Sequence, residues 1–348
     1  MVTPASSGST RGESRRGALL AVKLKALVRD HLGRDPFSDP FSDVDNGDLP
    51  PAPAFGRGAA LVIDDTAWVL LDEQPQRGLG PALAWVSRHP DLRAVAILAD
   101  AGTGVLVRRA PLFAMPISVW RVVGRSLVAA VPDGYPIPVP VDVRHEPWRS
   151  VIEEGGAEPF DEHGVLAGEI RGLEVCRVVT DSFSGEVRLE VGVGTHDRQS
   201  FMMLHGDRPT VAALAGVVET VGGHRRIDAP LHPLNRLAAE RFLRWQVTNA
   251  PERVGAKYLR PADPPLPRLN LKDPVPCVAV GETVSGSPLV VVCSVGIDLD
   301  LVAFAVDARQ MHSPEASLLL IVPERDASPV TLRVAEMAVR PVTVVTWV

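Results

Sequence analysis

Along this chain, apolar runs rich in β-branched residues alternate with stretches of helical periodicity, and the order recurs in both halves. In the N-terminal half GAALVIDDTAWVLL, RAVAILAD and ISVWRVVG have strand character, separated by the helical stretches GLGPALAWVSRH and VLVRRAPLF. In the C-terminal half SPLVVVCSVGIDLDL, ASLLLIVPE and PVTVVTWV read as strands, with VAFAVDARQMH and PVTLRVAEMAV as the helices between them. Short apolar strands joined by helices call for parallel pairing through crossover connections. The pattern therefore predicts an α/β protein, with two β-α-β-α-β units related by internal duplication and flanking a central antiparallel hairpin with helices.

In the centre, GLEVCRVVTD and EVRLEVGVG flank SFSG as the arms of a hairpin. Val187, Leu189, Val191 and Val193 alternate with Arg188, Glu190, Gly192 and Gly194, so one face belongs to a core and the other to solvent. Helical spacing follows over PTVAALAGVVETV and again over LNRLAAERFLRWQV. In the latter Leu234, Leu237, Ala238, Phe242 and Trp245 form an apolar stripe, with Arg236, Glu240 and Arg244 opposite. Near the N-terminus, Leu19, Leu20, Val22, Leu24, Leu27, Val28 and Leu32 predict an amphipathic helix from Glu13 to Leu32, stopped by Gly33. Residues 1–12 are rich in Ser, Thr and Gly and are expected to be disordered. DPFSDPFSDVDNGDLPPAPA holds five acids and no base; its glycine stands one position early for a calcium loop, so a solvated acidic linker is expected. These breaks divide the chain into an N-terminal arm with its helix (1–34), the linker (35–55), a first α/β unit (56–145), the central segment (146–265) and a second α/β unit (266–348).

Composition narrows the class. A 348-residue chain that is 46% hydrophobic can bury substantial cores. Its apolar runs are too short to span a bilayer, so no membrane association is expected. Cys176, Cys277 and Cys293 are odd in number and widely spaced, which fits buried thiols in a reducing compartment and a cytoplasmic location. The net charge of −6 excludes a surface that coats nucleic acid, yet between 221 and 272 ten basic residues face four acidic ones. Arg225, Arg226, Arg236, Arg241, Arg244 and Lys257 are the candidates there for holding nucleic acid or another polyanion, and Trp245 and Tyr258 for stacking on bases.

Candidate chemistry sits where strands end, because ligands of open parallel sheets bind beyond the carboxyl ends. Asp298, Asp300 and Asp326 follow strands of the second unit and are candidate ligands for Mg²⁺ or Mn²⁺; the competing reading is helix capping, most plainly at ERDASPVT, where Ser328 precedes Pro329. DAGTG, at Gly102–Gly104, offers a phosphate turn but lacks the rest of either phosphate-loop pattern. No GxSxG, HxH or HExxH motif is present. On the hairpin, Glu174 and Glu190, followed by His196 and Asp197, are the candidate catalytic acids and general base.

An acidic pair on a hairpin beside a helix resembles the arrangement in restriction-endonuclease-like proteins. That resemblance implies a nuclease-like scaffold over the hairpin and one α/β unit. The family's lysine two positions after the second acid is missing, since Val191 and Gly192 follow Glu190. The reading favoured by the sequence is a non-catalytic binding or scaffold protein for a polyanionic ligand or a protein partner. The alternative is a metal-dependent phosphodiesterase or nuclease.

Overall fold

The computed structural model describes residues 7–33, 58–205, 211–229, 232–266 and 275–348. The expected acidic linker lies outside the described residues, as does the tip of the arm. The fold is mixed α/β, with three sheets and ten α-helices among the described residues. None of those helices is long and apolar enough to cross a membrane. The chain forms two compact units, each gathered from three stretches: residues 1–134, 298–307 and 328–343 make unit one, and 135–297, 308–327 and 344–348 make unit two.

Unit one opens with α1 (Ser7–Leu32), which begins six residues before the expected Glu13. Its buried stripe is Leu20, Leu24, Leu27 and Val28, while Leu19 and Val22 face solvent. The stripe packs on Ala59, Trp68, Leu70, Ala96 and Leu98 of a five-stranded sheet. That sheet runs β1 (Gly58–Ile63), β2 (Thr66–Leu71), β3 (Ala94–Ala99), β4 (Ile117–Val123) and β5 (Ser126–Ala129), in chain order. Helix α2 (Leu79–Val86) joins β2 to β3, and α3 (Thr103–Arg109) joins β3 to β4. These crossovers make β2, β3 and β4 parallel, while β1 and β5 pair antiparallel at the edges. The stretch GAALVIDDTAWVLL is thus a hairpin and not one strand. Asp64 at its tip takes φ 54°, a left-handed conformation that Asp tolerates better than β-branched residues do.

Unit two begins with α4 (Trp148–Glu154) and an antiparallel meander of β6 (Glu158–Glu162), β7 (Val165–Ile170), β8 (Leu173–Thr180) and β9 (Val187–Val191). The expected hairpin is β8–β9, and two strands precede it. His163-Gly164 and Arg171-Gly172 connect them with both central residues at positive φ, the two-residue turn whose twist matches paired strands. Gly172 has a second constraint, because a Cβ there would stand 2.5 Å from the backbone carbonyl of Arg241. Leu189 and Val191 are buried with Ile152, Leu166, Leu173 and Leu214. Helices α5 (Gly194–His205), α6 (Val211–His224), α7 (Pro233–Arg236) and α8 (Ala239–Asn249) follow.

The stretch LNRLAAERFLRWQV is not one helix. It breaks at Leu237 and Ala238, where Leu237 is extended and Ala238 sits at φ 48°, ψ 48°. The break lets one segment serve two cores of unit two. Leu234, Leu237 and Ala238 pack against the meander. Leu243 and Val247 of α8 pack on Leu259, Ala279, Val291 and Ile321 of a second five-stranded sheet. With both cores met, Glu240, Arg241 and Arg244 are buried where a solvated face was expected.

That sheet runs β10 (Ala256–Ala262), β11 (Cys277–Thr283), β12 (Pro288–Cys293), then, after α9 (Leu301–His312), β13 (Ser317–Pro323), and, after α10 (Pro329–Glu336), β14 (Thr343–Trp347). β10, β11 and β12 pair antiparallel, and β12 and β13 pair parallel. At the start of α10, Ser328 Oγ accepts the N–H of Val330 at 3.2 Å, the cap expected from ERDASPVT.

Candidate functional site

The two candidate catalytic acids are held by arginines. Glu174, on β8 and only 3% exposed, takes a bidentate pair from Arg177, three residues along the same strand, at 2.8 and 2.9 Å, and a third bond from Arg198 Nη1 of α5 at 3.0 Å. Glu190, on β9 across from Arg177, accepts from Arg188 at 3.2 Å and lies 3.5 Å from Arg198 Nε. The guanidinium of Arg198 therefore stands between both carboxylates. Hydrogen bonding to Glu174 holds Arg177 above its ordinary pKa, while burial pulls Arg198 below its own. His196 is exposed, with Nδ1 3.3 Å from Ser200 Oγ, and Asp197 Oδ2 accepts the N–H of Val193 at 3.0 Å.

The C-terminal acids are likewise engaged. In unit one, Asp298 pairs with Arg77 at 2.9 Å. Asp300 accepts from the N–H of Gly80 at 3.0 Å and from Arg109 Nη1 at 2.9 Å, and Arg109 Nε also binds Asp307 at 2.9 Å. Burial pushes Asp300 up to about 6 despite Arg109, with Asp298 adding to the effect. Arg109 is itself opposed by burial, but its two carboxylates outweigh that and hold it above the ordinary value. In unit two, Asp326 accepts the N–H of Gly296 at 2.7 Å. Among the described residues no group of three or more His, Cys, Asp or Glu side chains is placed to share a metal ion. The DAGTG turn is closed by Asp133, which donates its N–H to Gly104 O at 3.1 Å and lays its carboxylate against Gly104.

The basic candidates separate into three kinds. Arg225 is wholly buried and donates to the carbonyls of Arg171, Leu234, Leu237 and Ala238, so it ties the chain break to the meander; burial pushes it down to about 10. Arg226, Arg236 and Lys257 are exposed, Arg226 pairing with Asp228 at 2.7 Å. Arg241 and Arg244 lie inside unit two, in the wall of a cavity of about 650 Å³.

This cavity is the best-formed candidate site. Arg241 bonds Glu162 of β6 and Glu169 of β7, and its guanidinium lies 5.0 Å over the Phe160 ring. Arg244, one turn on, is 7% exposed, makes no hydrogen bond among the described residues, and comes no closer than 3.9 Å to Glu169. A guanidinium in a cavity wall that spends none of its donors on the described residues is available to an incoming anion. Arg260 of β10 and Asp263 line the same cavity without side-chain hydrogen bonds among the described residues, and His312 Nε2 meets the Asp263 carbonyl at 2.8 Å.

No protein-family model, curated protein or solved structure matches this chain. The site is therefore argued from its own residues.

Sequence reasoning reached Arg241 and Arg244 through the local charge excess. It missed Phe160, Arg260, Asp263 and His312. The His-Gly and Arg-Gly turns between apolar runs signal β6 and β7, and with them Phe160 and Glu162. Nothing in the linear pattern brings β10 to that wall.

Proposed function

We propose that this chain is a non-catalytic binding protein whose ligand enters the cavity of unit two and sets an anionic group against Arg244. One observation carries the reading: a largely buried arginine whose guanidinium makes no hydrogen bond among the described residues, in the wall of a cavity of about 650 Å³. That volume falls among those of small-molecule sites. A binding role is supported further on the hairpin, where Arg198 occupies the space between Glu174 and Glu190 that a shared cation would need. Two five-stranded sheets in chain order support an origin by internal duplication. Three buried cysteines, none in a disulfide, support a cytoplasmic setting.

The test combines binding and turnover. Labelled single- and double-stranded DNA and RNA are titrated at two salt concentrations, with and without Mn²⁺, then run on denaturing gels, beside thermal-shift assays with small anions and their neutral analogues. The account expects small anions to raise the melting temperature of the wild type, with no such rise in Arg244→Gln, and intact nucleic acid throughout. Cleavage that disappears in Glu190→Gln would replace this reading with a hydrolytic one.

A further inference from the structure

Resting on that reading, we infer that the ligand is a small amphiphile: one carboxylate or phosphate head, bound by Arg244 and Arg260, on a compact apolar body. The head follows from what the cavity leaves unspent. Arg241 is committed to Glu162 and Glu169, and Asp161 to Arg149 at 2.9 Å. Among the described residues Arg244, Arg260 and Asp263 remain without side-chain hydrogen bonds, two cations against one anion. A guanidinium fork matches the paired oxygens of a carboxylate or phosphate.

The same inventory sets an upper limit on ligand charge. Asp161, Glu162 and Asp263 also line the cavity. A polyanion threading it would press charge after charge against those carboxylates, whereas one head seated at Arg244 keeps the rest of the ligand neutral. This separates the cavity ligand from nucleic acid.

The body follows from the other walls. Four of the sixteen wall residues are prolines, Pro136, Pro138, Pro159 and Pro261, which have no N–H to donate. Phe160, Val280 and Met311 supply further apolar surface. Arg241 fixes the Phe160 ring from the protein side, so that ring is held in place before a ligand arrives. The prolines and the fixed aromatic give a hydrocarbon or aryl body a surface to lie against, apart from the charged residues that face the head.

The experiment follows the methyl signal of Met311 by NMR in the full chain, assigned with Met311→Leu, during titration with benzoate, phenyl phosphate, inorganic phosphate and benzyl alcohol. Benzoate and phenyl phosphate are expected to shift Met311 with Kd values of roughly 0.1–1 mM, as befits fragments of this size. Comparing them tells which head is preferred. Inorganic phosphate and benzyl alcohol, each carrying half of the proposed ligand, are expected to bind at least about tenfold more weakly. In Arg244→Gln the aryl anions lose about tenfold to a hundredfold in affinity, and in Arg260→Gln less, because that residue is exposed. Benzyl alcohol binding as tightly as benzoate, or affinity unchanged in Arg244→Gln, overturns the inference. If inorganic phosphate binds as tightly as phenyl phosphate, the apolar body falls while the anion cavity stands. If none of the anions moves Met311, both fall together.

Discussion

Arg244 Nη2 stands 3.9 Å from Glu169 Oε2, beyond hydrogen-bond reach, while Arg241, one turn earlier on the same helix, bonds that same carboxylate. The two guanidiniums are about equally buried and carry the same charge, yet only one is spent on the fold. Arg241 neutralises two carboxylates of the meander; Arg244 makes no hydrogen bond among the described residues.

That difference predicts opposite outcomes on substitution. Arg244→Met keeps the volume and removes a charge that makes no hydrogen bond among the described residues, so the chain is expected to hold its stability or gain about 1 kcal/mol. Arg241→Met strands Glu162 and Glu169 and is expected to cost about 3 kcal/mol or more. Urea unfolding of both variants checks the pair. Equal destabilisation would mean that Arg244 serves the fold as Arg241 does.

The buried cluster of unit one predicts a pH dependence. Asp300, pushed up to about 6, binds its proton more tightly in the folded chain than in the unfolded one. Between the ordinary carboxylate value of about 4 and the folded value, the native state holds more protons, so stability falls as pH rises through this window. The slope reaches at most about 1.4 kcal/mol per pH unit. Asp142, held down to about 2 by Arg144, has the opposite sign: its contribution is present above the ordinary value and is lost as pH falls toward 2. Urea midpoints from pH 4 to 7 should decline in the wild type, and the decline should be shallower in Asp300→Asn, which has no proton to take up.

Gly172 and Gly185 form a matched test of backbone crowding. Both have positive φ, at 78° and 71°, so alanine strains either one. At Gly185 a Cβ meets open space, whereas at Gly172 it meets the backbone of Arg241 at 2.5 Å. Gly185→Ala should cost about 1 kcal/mol. Gly172→Ala should cost roughly 3 kcal/mol or more, because the meander turn must move away from α8. Similar losses at the two sites would contradict the close approach.

The cysteines should be silent until the chain unfolds. Burial pushes the Cys176 thiol up to about 12 and Cys293 higher still, and all three thiols are buried and outside any disulfide. Native protein at pH 8 should resist iodoacetamide, and urea-unfolded protein should take up three labels. Rapid labelling of Cys176 or Cys293 in the native state would contradict the packing around them.

Much of the fold was legible because it rests on local pattern. The α/β class, the β8–β9 hairpin with Leu189 and Val191 facing inward, and the Ser328 cap all follow from spacing within a few residues. What escaped depends on long-range competition. GAALVIDDTAWVLL reads as one strand because the two-residue Asp64-Asp65 turn carries no glycine. LNRLAAERFLRWQV reads as one helix because its stripe is nearly continuous, and only the presence of two cores, one for Leu237 and one for Leu243, makes the break at Ala238 worthwhile. The assignment of residues 298–307 and 328–343 to the unit built by the first 134 residues has no trace in a linear pattern. The charge excess between 221 and 272 does not mark one surface patch: Arg225, Arg241 and Arg244 are interior groups, while Arg226, Arg236 and Lys257 are exposed.

Diffraction from crystals soaked in selenate tests the central claim most directly, because selenium locates the anion by its anomalous signal. The account predicts a peak inside the cavity of unit two, within hydrogen-bond distance of the Arg244 guanidinium, and no such peak in Arg244→Gln. A wild-type cavity without selenium, or a peak that persists in the variant, would contradict it.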